Sequence, residues 1–164
     1  MQKIIRIDDA NPQYLTALKA DCYVLYCALN DDFCRDFIEQ GIKKDKIVLF
    51  YGEDAVERCV SLKADGVIVD LGADNLEEKV QLLRQTLGQG KYIGLVTRNR
   101  KHESMLVSEA EPDFVVFKVW KDGFDKVKEL TDWYNEFFLI QSAAWIIDDD
   151  IAVGELNTDF VIQA

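Results

Sequence analysis

A chain of 164 residues that is 49% hydrophobic carries enough apolar material for one full core, which excludes general disorder and predicts a single domain over residues 1–164. Nineteen Lys and Arg against thirty Asp and Glu leave a formal charge of -11, a sign that repels phosphate backbones and anionic lipid and so argues against a nucleic-acid binder or a membrane-surface protein. No apolar run approaches the roughly 18 residues of a membrane span, and the opening Met1-Gln2-Lys3-Ile4-Ile5-Arg6 turns acidic at Asp8-Asp9, unlike an export signal.

Short β-branched and aromatic runs recur along the chain. They are Lys3 to Ile7, Cys22 to Leu29, Lys46 to Tyr51, Gly66 to Leu71, Lys91 to Thr97, Phe114 to Trp120, Phe137 to Gln141 and Phe160 to Gln163. Their starts fall roughly every 20 to 25 residues, the length of a minimal strand–helix unit. Most are almost continuously apolar, as strands covered on both faces are, so the sheet is predicted to be parallel. Between them lie helical stripes. Asp54 to Lys63 places Val56, Cys59, Val60 and Leu62 on one side. Asn75 to Leu87 places Leu76, Val80, Leu83 and Leu87 on one stripe, and Asp122 to Asn135 does so with Phe124, Val127, Leu130 and Tyr134. Gly41 and Gly88 are expected to end helices.

Eight such units predict a compact (β/α)8 TIM-type barrel, with an open doubly wound sheet as the alternative. The barrel would lack its last helix, because the sequence ends with the eighth strand. That omission would expose the outer face of strands eight and one. A homodimer contact or a displaced earlier helix is expected to cover it.

Cys22, Cys27, Cys34 and Cys59 show no CxxC spacing and His102 is the single histidine. Reduced thiols serving as small core hydrophobes in a cytoplasmic protein are the expectation.

Function in a parallel barrel belongs to the loops after the strands. Here these loops are acidic, apart from Arg98-Asn99-Arg100-Lys101-His102. Capping of the following helices accounts for much of the acidity. A second role is a hard-cation site such as Mg2+, for which Asp70, Asp74 and Asp148 are the candidates. Lys118 interrupts the apolar run Phe117-Lys118-Val119-Trp120 and needs either a partner, such as Asp70, or a function. Thr97, Arg98, Arg100, Lys101 and Lys118 are the candidate contacts to a small anionic ligand. No GxGxxG, GxxxxGK[ST] or HExxH pattern occurs.

Three segments carry a resemblance. They are Ala64-Asp65-Gly66-Val67, Tyr92-Ile93-Gly94-Leu95-Val96-Thr97 and Glu111-Pro112-Asp113-Phe114. In residues and in spacing they resemble the A-D-G-V-H-L-G, I-G-V-S-T-H and G-A-D-Y segments of the thiamine phosphate synthase/TenI family of compact barrels. The remaining units agree in rhythm. The resemblance implies a family that joins a pyrimidine diphosphate to a thiazole phosphate with Mg2+, or isomerises a thiazole phosphate. It also implies an Mg2+ aspartate near Asp70 or Asp74, and Thr97 stands at a matching position. Several working positions differ. Ile68 stands for a His, Val96 for a Ser and Arg98 for a His. Lys118-Val119-Trp120 replaces G-P-V-F-x-T, and Ser142-Ala143 replaces the Gly-Gly phosphate grip after strand seven.

The expectation is therefore a family-like barrel that is not an active thiamine phosphate synthase and that binds a small ligand or a partner. The alternative is a divergent Mg2+-dependent enzyme acting on a small phosphorylated or anionic substrate in thiamine-related metabolism. An interaction module with its contact at the uncovered strands is the third expectation.

Overall fold

In the computed structural model, which describes residues 1–164, eight parallel strands close into a barrel. They are β1 (Gln2–Ile7), β2 (Cys22–Tyr26), β3 (Ile47–Tyr51), β4 (Gly66–Val69), β5 (Tyr92–Thr97), β6 (Phe114–Val119), β7 (Gln141–Ile146) and β8 (Phe160–Gln163). Each pairs with the next, and β8 closes on β1 with Gln2 opposite Phe160 and Ile4 opposite Ile162. Five helices cover the outside: α1 (Asp31–Lys43), α2 (Ala55–Leu62), α3 (Leu76–Leu87), α4 (Lys101–Glu109) and α5 (Phe124–Phe137). No helix is long and apolar enough to cross a membrane.

Alternation along the strands makes two cores. Ile4, Val24, Leu49, Ile68, Val96, Val116, Ala143, Trp145 and Ile162 fill the barrel interior. Their neighbours, such as Leu25, Phe50, Val67, Leu95, Val115 and Ala144, face outward into the larger cluster beneath the helices. The stripe of α3 is buried there as expected, through Leu76, Val80, Leu83 and Leu87. Each such side chain contributes about 1.5–3 kcal/mol by leaving water.

The connections β1–β2 and β7–β8 hold only 3-10 turns, Pro12–Leu15 and Val153–Glu155. Neither segment has a helical apolar stripe. Leu18 and Leu156 from these connections join the same buried cluster as Ile7 and Val161. The outer face of β8 is thereby covered from within the chain, with Val161 only 5% exposed.

Two local expectations are corrected. Phe137 ends α5 rather than opening a strand, and β7 runs from Gln141 to Ile146. Trp133 packs on Phe137 at 6.1 Å in the last turn, and Phe138, already extended beyond the helix, stacks on Tyr134 at 5.0 Å. Gly41 lies within α1, not at its end. A Cβ there would stand 2.9 Å from Val48 Cγ2, so close packing on β3 selects glycine. Gly88 does cap α3, at φ +90°.

Candidate functional site

The C-terminal ends of the strands and the loops after them form one face. The inward-facing residues of its uppermost layer are Arg6, Tyr26, Tyr51, Lys118 and Trp145, which carry on the alternation that sends Ile4, Val24, Leu49 and Val116 inward. Lys118 Nζ donates to Tyr51 Oη at 3.0 Å and lies 5.4 Å from the centre of that ring. Tyr51 packs on Trp145 at 4.5 Å, and Tyr26 stacks on Trp145 at 6.0 Å and 22° and lies 5.5 Å from the Tyr51 ring. Arg6 Nη1 donates to the Ile146 carbonyl, while its buried Nε–H has no partner. Burial pushes the Tyr26 phenol up; Arg6 opposes that shift, and Asp8 and Tyr51 reinforce it. The Tyr26 hydroxyl can donate a hydrogen bond.

Sequence reasoning found Lys118 but not Arg6, Tyr26, Tyr51 or Trp145. The signal was the strand period. Arg6 sits two residues beyond inward Ile4, and each aromatic closes an inward series. The expected Lys118–Asp70 pair does not form. Asp70 is exposed, and its Oδ1 accepts the Gly72 N–H at 3.1 Å.

Beside the mouth lies a cleft of about 290 Å³ between the loops after β4 and β5. It gathers four of the predicted residues: Asp70, Asp74, Thr97 and Arg98, with Glu103 of α4. Thr97 is buried below, with its hydroxyl 3.5 Å from Ser104 Oγ. Arg98 is exposed and makes no ion pair. The other candidates stand apart. Lys101 lies over the Trp133 ring at 5.3 Å, and Arg100 is the N-cap residue of α4. Asp148 Oδ2 accepts the Lys121 N–H at 2.6 Å, so it braces the loop after β6.

No set of three or more His, Cys, Asp and Glu side chains is arranged to hold a metal ion. Mg2+ commonly takes one or two carboxylates, with waters and substrate oxygens completing the shell. Asp70 and Asp74 line the same cleft, and Asp148 does not join them. Helix capping explains less of the acidity than expected. Asn30 accepts the Phe33 N–H at 2.8 Å at the start of α1, whereas Asp54, at the N-cap of α2, makes no such bond.

The sequence is 32% identical over 105 residues to a thiamine-phosphate synthase of Erythrobacter litoralis, a match covering 59% of this chain and 47% of that protein. The chain resembles thiamine-phosphate synthase. The match spans about half the length of that curated relative. No family model matches. Among solved structures, the thiamine phosphate pyrophosphorylase of Pyrococcus furiosus superposes with a TM-score of 0.68 at 11% identity, covering 98% of this chain and 83% of that one. The tryptophan synthase complex of the same organism gives 0.74 at 10% identity, covering 98% and 86%. Tryptophan synthase of M. tuberculosis gives 0.71 at 11%, covering 99% and 82%. At such identities these likenesses establish the fold alone.

In this thiamine-phosphate synthase-like barrel, the strand beginnings that resemble the family's have structural reasons. Gly66 admits no Cβ, which would lie 2.2 Å from the Tyr92 carbonyl oxygen. Gly94 gives room to the Phe114 ring. Ile68, where the family has a His, is wholly buried in the interior. One comparison is corrected. Ser142 and Ala143 lie within β7, so the loop after that strand is the segment holding Asp148, Asp149 and Asp150.

Proposed function

We propose that this chain is a divergent member of the thiamine phosphate synthase/TenI family that binds a small anionic ligand on its C-terminal face and is not an active thiamine phosphate synthase. The observation carrying this is the shared cleft of Thr97, Arg98, Asp70 and Asp74. Arg98 supplies a cation free of protein partners, and Lys118 adds a second at the mouth. An acidic rim repels a phosphate unless a cation neutralises it. The loop where the family grips phosphate carries three aspartates here. That loss of grip underlies the inactivity. Four free thiols and the acidic face agree with a cytoplasmic protein that does not bind nucleic acid.

A second reading is a divergent Mg2+-dependent enzyme acting on a small phosphorylated or anionic substrate in thiamine-related metabolism. Asp70 and Asp74 on the cleft of Arg98 favour it, because metal and anion would meet there. Thermal-shift titrations with pyrophosphate, thiamine phosphate and thiazole phosphate, each with and without Mg2+, test both readings. A ligand at ~100 times its Kd adds about 2.7 kcal/mol. A shift that Arg98→Ala abolishes supports the binding site. A shift that needs Mg2+ and disappears in Asp70→Asn/Asp74→Asn supports the enzyme. No shift with any of them sinks both, and robust pyrimidine–thiazole coupling by the purified protein sinks the first.

A further inference from the structure

The N-terminal end of the barrel has features that the C-terminal face does not explain. The interior opens there into a cavity of about 300 Å³, reaching between Cys22, Ile47, Leu49, Phe114 and Phe160. It runs into a second hollow of about 420 Å³ beside β1, and Gln2, Ile4, Asp21, Cys22 and Phe160 line both. This is where a helix between β1 and β2 would stand in a full set of strand–helix units.

Exposed apolar side chains collect on the same face. Eight large hydrophobic residues stand exposed in the whole molecule. Five of them, Met1, Ile42, Tyr92, Phe137 and Leu139, lie at strand starts, at helix ends or in the turn before β7. Leu139 is 100% exposed and stands two residues ahead of Gln141, where β7 begins. A fully exposed leucine costs hydration free energy and gains nothing in the monomer. Exposed apolar side chains gathered toward one end of a barrel suit a contact surface.

Charge singles out the same face. The segments after the strands (8–11, 27–32, 52–55, 70–78, 98–103, 120–126 and 147–155) hold seventeen carboxylates and five basic side chains. The segments before them (16–21, 43–46, 63–65, 88–91, 109–113, 136–140 and 156–159) hold eight carboxylates and six lysines. The net charge of -11 therefore sits at the C-terminal end. Two copies can approach through the nearly balanced end without meeting that repulsion.

We propose that two copies of this chain associate N-terminal face to N-terminal face, each placing Leu139 in the other's cavity. Knob and hole lie on one face, so a two-fold axis satisfies both at once, as an isologous interface requires. A stable interface takes about 800 Å² from each copy, under a tenth of the 9228 Å² surface. The acidic ends then point away from each other and both clefts stay open. The contact differs from the uncovered-strand dimer expected from sequence.

Sedimentation velocity up to about 200 µM tests the proposal on the full chain. The expected result is a species of twice 18.8 kDa. Leu139→Asp, which disturbs no packing in the monomer, is expected to weaken association at least about thirtyfold. Leu139→Met and Trp120→Ser, the latter on the opposite face, are expected to leave it unchanged. Indole, a neutral apolar probe, is expected to shift the equilibrium toward monomer by competing for the cavity. A monomer at every concentration overturns the proposal, and so does a dimer indifferent to Leu139→Asp. A monomer that binds indole assigns the cavity to a small molecule and overturns it equally.

Discussion

The Asp65 carboxylate accepts the backbone N–H of Val48 at 2.8 Å, joining the residue before β4 to the second residue of β3. The arrangement recurs every second strand. Asp113 accepts from Ile93 at 2.7 Å and Asp159 from Ser142 at 2.9 Å. In each pair the Asp N–H also donates to the partner's carbonyl: Asp65 to Val48, Asp113 to Ile93 and Asp159 to Ser142. The aspartates of the Ala64-Asp65-Gly66-Val67 and Pro112-Asp113-Phe114 segments thus set strand register at the end of the barrel away from the site. This part of the family resemblance is carried by stability, not by chemistry.

Replacing Asp65 by Ala leaves the half-buried Val48 N–H unpaired. The expected loss is about 1–3 kcal/mol in urea unfolding. Asp21, paired at 3.2 Å with Lys46 while its own side chain is 97% exposed, is the control. Its replacement by Ala is expected to stay within about 0.5 kcal/mol. Equal losses at the two positions would remove the register argument.

Gly94→Ala brings a Cβ to 2.4 Å from the Phe114 ring. Overpacking predicts a loss of about 1–3 kcal/mol. The ring borders the N-terminal cavity, so Gly94→Ala/Phe114→Leu is expected to recover part of it. Gly66→Ala meets strand backbone instead, at 2.2 Å from the Tyr92 oxygen. It is expected to cost more and not to be rescued by any neighbouring side-chain change. Thermal denaturation of the three variants checks the order.

Burial pushes the Cys22 thiol up to about 12, and Asp65 adds to the shift. In the unfolded chain the thiol titrates near its ordinary value, about 8.5. Between those values the folded state holds a proton that the unfolded state releases. Stability therefore falls as pH rises from about 9 toward 12. Urea midpoints at pH 8 and at about pH 10.5 are expected to differ less in Cys22→Ala than in the wild type. Native Cys22 is also expected to resist alkylation at pH 8. Rapid labelling of the folded protein would contradict this.

Local pattern carries a long way in this chain. Near-continuous apolar strands such as Ile47 to Phe50 and the stripe of Leu76, Val80, Leu83 and Leu87 depend on neighbours in sequence, so their period identifies them. β7 escaped because Ser142, Ala143 and Ala144 have weak strand preference. Ala143 shares the barrel interior with Trp145 and leaves it room, a demand that comes from the other strands, while Ala144 faces the helices. The site divides the same way. Asp70, Asp74 and Arg98 stand in loops after strands and Thr97 ends β5, positions legible from strand period in a parallel barrel. The mouth of Arg6, Tyr26, Tyr51, Lys118 and Trp145 draws on five strands spread over most of the chain.

By itself the sequence determined the number of strands, their parallel sense and the acidic character of the loops that follow them. These follow from residue period and from loop position, both local properties. Tertiary structure alone decided which charges meet. It placed Lys118 on Tyr51 rather than Asp70, turned Lys101 toward Trp133 and used Asp148 to brace a loop. It also brought Leu139 to the same end as an apolar cavity. Such pairings depend on strand register and ring closure, which bring together residues far apart in the chain, and no short stretch of sequence encodes that distance.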